Sequence, residues 1–491
     1  MLNPELKLNQ EIFDNPQYKA IRDGFGDALL KLGEDKNIVV LTADVKESTR
    51  VHKFSEKYKE RFFECGICEQ NMAVIASGLA DSGKIPFISS YSIFSPGRNW
   101  EHIRTMIAYN NSNVKIAGHH SGIITGEDGV THHATEDLAI MRALPNIKII
   151  SPCDYYEAFK ATIEASKING PVYLRFSRPE TPIITTEETP FRFGKIEKFW
   201  IPRIYADIEK TADQRGSNET ADKRGLLYED FTYKLRKYIF EVYNKVGKGH
   251  KEGIYKNALE EIFKRESLNY KREPSINVEF ENKIVGVYRP DFLIEDKIIL
   301  EIKSSKFLTK LDKFQALSYL KASKYKLLLL VNFGYKTLQI KRIINENNPR
   351  ECVVENNPRI SAVIIFATGH LVYQALLAAK ELEEEGIYTY VCNVHTIKPL
   401  DEETLLELVS LPIKGIVTVE DHQINGGLGS ALAEFYAKNH PVRIEFIGLQ
   451  DTFAESGNWQ DLLKKYKINK EAIKKAVKKL NNKPQMNADI K

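Results

Sequence analysis

The sequence predicts an α/β protein: two three-layer domains with mostly parallel sheets, and a separate α+β module set between them. Three observations predict this. From residue 18 to 184, short β-branched runs alternate with stretches of helical spacing. The same rhythm resumes after residue 361. Between them, composition turns polar and aperiodic, then settles into a different pattern of helices and strands.

In the first region, 38–42, 114–117, 147–150 and 172–176 read as strands, and 71–79 and 155–165 have helical spacing. In the last region the strands are 362–367, 388–393, 416–419 and 444–447, with helices over 372–385 and 431–438. The middle module has helical patterns at 231–243, 255–263 and 314–322 and strand patterns at 276–280, 285–288, 298–302 and 327–331. The expected organisation is an N-terminal extension (1–17), a first domain (18–198), a linker (199–225), the insert (226–345), a second linker (346–358), a terminal domain (359–482) and a tail (483–491).

Composition narrows function only weakly. A net charge of +4 over 491 residues specifies neither nucleic acid nor membrane as a partner. Five scattered cysteines argue against a disulfide framework and for a reducing compartment. Cys65 and Cys68 have the spacing of a redox pair or half a metal site, but no second cysteine pair accompanies them, which favours two small residues in a tight loop. The N-terminal residues lack the apolar core of a signal peptide, and the longest apolar run is too short to span a bilayer, so the expected location is the cytoplasm.

Chemistry concentrates where the first region's strands end, the usual ligand edge of such sheets. Asp44 and Ser48 follow the first strand, Glu69 opens a helix, and Tyr91 and Phe94 come next. His120, Asp128 and His132 lie in the stretch His-His-Ser-Gly-Ile-Ile-Thr-Gly-Glu-Asp-Gly-Val-Thr-His-His, and Arg178 closes Tyr-Leu-Arg-Phe-Ser-Arg-Pro. Singly each has a bland reading: a first-turn glutamate favoured by the helix dipole, core aromatics, a plain glycine turn. The four histidines 119, 120, 132 and 133 could suggest a metal cluster, but no spaced carboxylate set accompanies them.

Taken in order, these residues resemble the transketolase family. Residues 18–184 resemble its pyrimidine-binding domain, through Arg-Phe-Phe-Glu-Cys-Gly-Ile-Cys-Glu-Gln-Asn-Met and Gly-Glu-Asp-Gly-Val-Thr-His. Residues 359–480 resemble its C-terminal domain, through Ile397-Lys398-Pro399-Leu400-Asp401, Glu420-Asp421-His422 and the glycine run 426–430. The resemblance implies a thiamine-diphosphate enzyme fold and ketol transfer between phosphosugars. It casts Glu69 as the carboxylate beside the pyrimidine, Tyr91 and Phe94 as the aromatic wall, and Asp44 as a further cofactor contact. His120, His132 and Asp128 would orient sugar hydroxyls and exchange protons, and Arg22, Ser48 and Arg178 would hold the sugar phosphate. A deoxyxylulose-phosphate synthase-like subunit is the alternative within the same architecture; that relative usually carries Asp-Arg where His119-His120 stand here. The pyruvate dehydrogenase β subunit shares the architecture without these loop motifs. The Gly-Asp-Gly and Asn pair that binds magnesium and diphosphate does not occur here. The resemblance therefore implies the second subunit of a split enzyme, with Mg2+ on an N-terminal partner subunit in an α2β2 assembly.

The insert carries Gly249-x-x-Glu252-x-x-Tyr255, then Asp291, then Glu301-Ile302-Lys303, then Gln315 and Tyr319. Residues 301 and 303 share a strand face because strand period is two, so two carboxylates and a lysine would reach one sheet edge. This resembles the small G-x-x-E-x-x-Y branch of the PD-(D/E)XK nucleases, with a restriction-endonuclease-like fold. It implies Asp291 and Glu301 as ligands of a divalent metal, Glu252, Lys303 and Gln315 beside them, and nucleic acid as a partner. The alternative function is a nuclease carried on a non-catalytic scaffold; the bland reading is a charged strand face in solvent.

Overall fold

The computed structural model describes residues 1–202, 228–280, 283–305, 308, 310–334, 338–344, 362–409 and 413–482. Residues 203–225 and 346–358 of the expected linkers, and the tail, lie outside them. The chain divides into two compact units, Met1–Asp213 with Arg359–Lys491, and Gln214–Pro358.

The first unit contains two α/β sheets. Ile38–Thr42 is buried throughout, as befits a strand covered on both faces. It sits in a seven-stranded sheet of order Thr396–Lys398, Lys148–Ile150, Val172–Arg175, Lys115–His119, Ile85–Tyr91, Ile38–Thr42, Phe62–Glu64. All neighbours are parallel except Thr396–Lys398, which runs antiparallel to Lys148–Ile150. Helix Ile21–Leu32 packs on Tyr155–Lys167, and Gly24 permits the approach, since a Cβ there would fall 2.1 Å from the Tyr155 carbonyl.

The second sheet has the order Ile444–Leu449, Ile413–Gln423, Ala362–Ala367, Thr389–Asn393, Glu197–Trp200. Its last strand is antiparallel and comes from before the insert, so each sheet takes one strand from the other half of the chain. Phe199 and Trp200, at the start of the span expected to be linker, are buried in that strand. Leu2, Leu6, Leu8 and Ile12 of the N-terminal extension join the same core as Trp200, Val372 and Leu376. The Ile397–Asp401 motif stitches the halves: Lys398 Nζ donates to the carbonyls of Arg142 and Leu144, and Asp401 accepts the Ile196 N–H at 3.0 Å.

The second unit has a five-stranded sheet of order Tyr270–Arg272, Phe292–Ile294, Ile298–Lys303, Leu327–Asn332, Gln339–Ile344. Only Ile298–Lys303 and Leu327–Asn332 are parallel, joined through helix Lys310–Lys321. Helices Glu229–Val246 and Glu252–Arg265 bury Leu235, Ile239, Leu259 and Phe263 on one face, while Ala316 and Leu320 cover Leu328 and Leu330 on the other. No helix among the described residues is long and apolar enough to cross a membrane.

Candidate active site

Glu69 opens helix Glu69–Asp81 at the strand ends of the first sheet, and its side chain is 1% exposed. Its Oε2 accepts from Arg98 Nη1 at 2.8 Å, and its main-chain carbonyl accepts from Asn99 Nδ2 at 3.1 Å. The Arg98 guanidinium lies 4.5 Å from the centre of the Phe94 ring. Phe94 stacks at 5.9 Å on Tyr91, the last residue of strand Ile85–Tyr91, and Tyr91 stacks at 4.1 Å on His120. His132 meets Tyr91 and Phe94 edge-on at 6.2 and 5.5 Å. One continuous set of contacts therefore runs from Glu69 to His120.

His120 continues that set. Its Nε2 lies 2.8 Å from Arg22 Nη1; an arginine can only donate, so Nε2 accepts and the proton sits on Nδ1. Burial, then the charges of Arg22 and Arg178, push its pKa down to about 2, so the ring is neutral. The Nδ1–H is buried with no partner among the described residues. Arg22 also donates to the Ser48 carbonyl at 2.8 Å. Arg178 donates to the Thr125 carbonyl and pairs with Asp128, both at 3.0 Å.

The turn Ile123–Asp128 that carries Asp128 is anchored from the other sheet. Asp421 Oδ1 accepts the Ile123 N–H at 2.9 Å and its Oδ2 the Ile124 N–H at 3.2 Å. Gly122, at φ 78°, makes this possible, because a Cβ there would lie 2.1 Å from the Asp421 carboxylate. Glu420 accepts the N–H groups of Leu428 and Gly429, so the glycine run shapes a helix start.

Arg22, Arg50 and Arg178 line a cavity of about 260 Å³ with Thr125, Gly126, Asn458 and Trp459. Burial and the charge of Arg50 lower the Arg22 pKa to about 10, and Arg22 Nε is buried with no partner among the described residues. Asp44 stands at the same sheet end, exposed, in left-handed backbone at φ 59°, with its N–H on Glu64. His119 is a core residue between Phe25 and Phe176, and His133 bonds the Gly126 carbonyl, so the four histidines do not converge. Cys65 and Cys68 are free thiols.

The second unit assembles its own constellation. Pairing of Phe292 with Leu300 puts Asp291 across from Glu301. Asp291 Oδ2 accepts the Ile302 N–H at 2.6 Å, Glu301 Oε1 accepts from Lys303 Nζ at 2.9 Å, and Lys303 Nζ donates to Gln315 Oε1 at 3.0 Å. Glu252 Oε1 accepts the Ser304 N–H at 3.3 Å. Tyr255 is buried, stacked at 4.3 Å on Phe333, and donates to the Gly247 carbonyl at 3.0 Å, which pins the loop before its helix. Burial and the neighbouring Asp291 push the Glu301 carboxyl up from its ordinary range. Lys256 Nζ forms an ion pair with Asp291 Oδ1.

Comparison with known proteins matches three stretches. The transketolase pyrimidine-binding domain matches residues 17–183, the PD-(D/E)XK nuclease superfamily residues 229–343, and the transketolase C-terminal domain residues 354–473. The protein named "Putative transketolase C-terminal section" of Methanocaldococcus jannaschii is 30% identical over 462 residues, covering 94% of this chain and 96% of its own. The chain belongs to the transketolase family. A 6-deoxy-6-sulfo-D-fructose transketolase subunit of Clostridium sp. strain MSTE9 is 25% identical, covering 96% of the chain and 97% of its own length. The solved structure "Split gene transketolase, inactive beta4 tetramer" aligns with a TM-score of 0.57 at 27% identity, covering 94% of this chain and 98% of that one.

Three basic residues of this transketolase chain escaped the motif reading. Arg98 lies one turn beyond Phe94 with no motif around it, and Arg50 reaches the cavity from left-handed backbone at φ 67°. Lys256 did leave a signal: it stands four residues after Glu252, on the same helix face.

Proposed function

We propose that the chain is the C-terminal subunit of a two-chain transketolase that moves a two-carbon ketol unit between phosphosugars with thiamine diphosphate and Mg2+. The observation that carries this reading is the arginine cavity. Three guanidinium groups line one space together with Glu127 and Glu180; Arg50 and Arg178 are paired with Asp23 and Asp128, while Arg22 keeps a buried Nε–H with no partner among the described residues, a donor suited to a phosphate oxygen. The same cavity adjoins His120, whose stack on Tyr91 leads to Glu69.

The residues fit thiamine. Glu69 offers a buried carboxylate beside the aromatic pair Tyr91 and Phe94, whose ring faces suit an aminopyrimidine. The cofactor, when bound, supplies the carbon nucleophile that takes up and releases the two-carbon unit. This chain's part is to hold and position. Glu69, now engaged by Arg98, would be the carboxylate that faces the pyrimidine and holds a proton there. His120, neutral, offers its unpartnered Nδ1–H to a sugar oxygen, while His132 and Asp128 hold hydroxyls. Arg22, Arg50 and Arg178 grip the phosphate, with Ser48 beside them, and Asp44 serves as a further cofactor contact.

The diphosphate end and its Mg2+ are assigned to the N-terminal partner subunit, in an assembly of two copies of each chain. Ile67, Val74 and Ile75, around Glu69, are exposed apolar side chains, as a docking partner requires. The test is co-expression with a candidate N-terminal subunit and an assay of ketol transfer with thiamine diphosphate and Mg2+. Activity should need both chains, and Glu69→Ala should lower it by about 100-fold or more with assembly intact. Full activity from Glu69→Ala would overturn the reading.

A further inference from the structure

The insert's acidic residues do not fit a divalent metal as they stand. Asp291 has both oxygens engaged: Oδ2 by the Ile302 N–H at 2.6 Å and Oδ1 by the Lys256 ammonium. Glu301 has Oε1 on Lys303 Nζ at 2.9 Å and Oε2 on the Asp291 N–H at 3.3 Å. Among the described residues no group of three His, Cys, Asp or Glu forms a metal-ligand set. The fold brings the carboxylates together, and lysines satisfy them.

The two lysines are not equivalent in origin. Lys303 shares a strand with Glu301, two residues on, and also reaches Gln315. Lys256 comes from helix Glu252–Arg265, where it follows Glu252 by four residues, so a helix that presents Glu252 to this edge presents Lys256 as well. Lys256 and Asp291 are 17% and 8% exposed, so the pair is largely withdrawn from water. Withdrawing the ammonium would leave the Asp291 charge buried and unpaired unless another cation replaced it.

We propose that Lys256 is a built-in cation occupying the place of a divalent metal at Asp291, so that metal binds the insert only by displacing it. A single positive charge satisfies the carboxylate but cannot ligate and acidify a water as a divalent ion does. The native insert is then a nuclease fold held in a metal-free state, and removal of one ammonium group opens a site at Asp291 Oδ1, with Glu301 beside it.

The experiment is Mn2+ titration of the full chain by calorimetry, with bound Mn2+ counted by electron paramagnetic resonance. Wild type, Lys256→Met, Lys256→Arg, Asp291→Asn and the Lys256→Met/Asp291→Asn double variant are compared. Lys256→Met should gain one site at least tenfold tighter than any Asp291-dependent binding in wild type. The double variant should lose that site, and Lys256→Arg should stay like wild type. Added Mn2+ should also raise the melting temperature of Lys256→Met alone. Three results would overturn the proposal: no gain in a folded Lys256→Met, a gained site that survives Asp291→Asn, or a micromolar wild-type site that Asp291→Asn abolishes. The last is read on wild type and Asp291→Asn, so the proposal stays testable even if Lys256→Met does not fold.

Discussion

Two carboxylates, one in each unit, are held by a basic side chain of the same chain, and the pairs differ in one respect. Glu69 is 1% exposed, but its partner Arg98 is 41% exposed and lies 4.5 Å from the centre of the Phe94 ring. Asp291 and Lys256 are both largely buried. Losing either cation uncovers a buried carboxylate, but the exposed guanidinium can turn into water, whereas the buried ammonium has no water to turn to. The first pair therefore leaves a carboxylate available to an incoming pyrimidine, and the second closes a site.

The sharpest way to break that comparison is to remove one partner from each pair. Asp291→Ala strands Lys256 and should cost the insert about 3–5 kcal/mol, read as lost hydrogen-exchange protection in helix Glu252–Arg265. Glu69→Ala leaves only the exposed Arg98 without its partner and should cost under about 1 kcal/mol, with protection in helix Glu69–Asp81 unchanged. Equal losses would remove the distinction.

A smaller effect separates binding from proton handling inside the first site. Arg22→Ala removes a cavity charge and the bonds to Ser48 and His120, so KM for a phosphorylated sugar should rise about 10- to 100-fold while kcat falls less. An equal rise for the unphosphorylated sugar would argue against a phosphate clamp.

A further difference concerns acid. In the first unit, burial pushes His119 well below its ordinary range, His120 to about 2, His395 to about 3, and His370 and His422 to about 4. The unfolded chain takes up protons near pH 6.5 that these rings refuse, so their contribution is present above that pH and lost as pH falls. Burial also raises Glu157 to about 8 and Glu420 to about 7, which works the other way but through fewer groups. The net slope is about 1.4 kcal/mol per pH unit for each proton of the difference. The insert has a single histidine, His250. Hydrogen exchange at pH 5 against pH 7.5 should therefore show the first unit loosening ahead of the insert.

Much of this was legible in residue order. Alternating runs marked both parallel sheets, and the motif order placed Glu69, Tyr91, Phe94, His120, His132, Asp128 and Arg178 at one sheet edge, where contacts join the first five and a separate ion pair joins Asp128 to Arg178. Three things were not legible, for physical reasons. The exchanged strands Glu197–Trp200 and Thr396–Lys398 find their partners about two hundred residues away, beyond any local pattern. Strand Ile413–Gln423 reads as only its apolar middle, because Glu420, Asp421 and His422 look like a loop until their buried hydrogen bonds are seen. The basic partners Arg98 and Arg50 carry no motif, since any long cation within reach can fill their places, and Lys256 shows only through its spacing from Glu252.

The most direct test of the central claim is calorimetric titration of thiamine diphosphate with Mg2+ into this chain alone, into a candidate N-terminal subunit alone, and into the two together. Half a site in each chain predicts tight binding only in the mixture, lost with Glu69→Ala. Binding by this chain alone as tight as by the pair would contradict it.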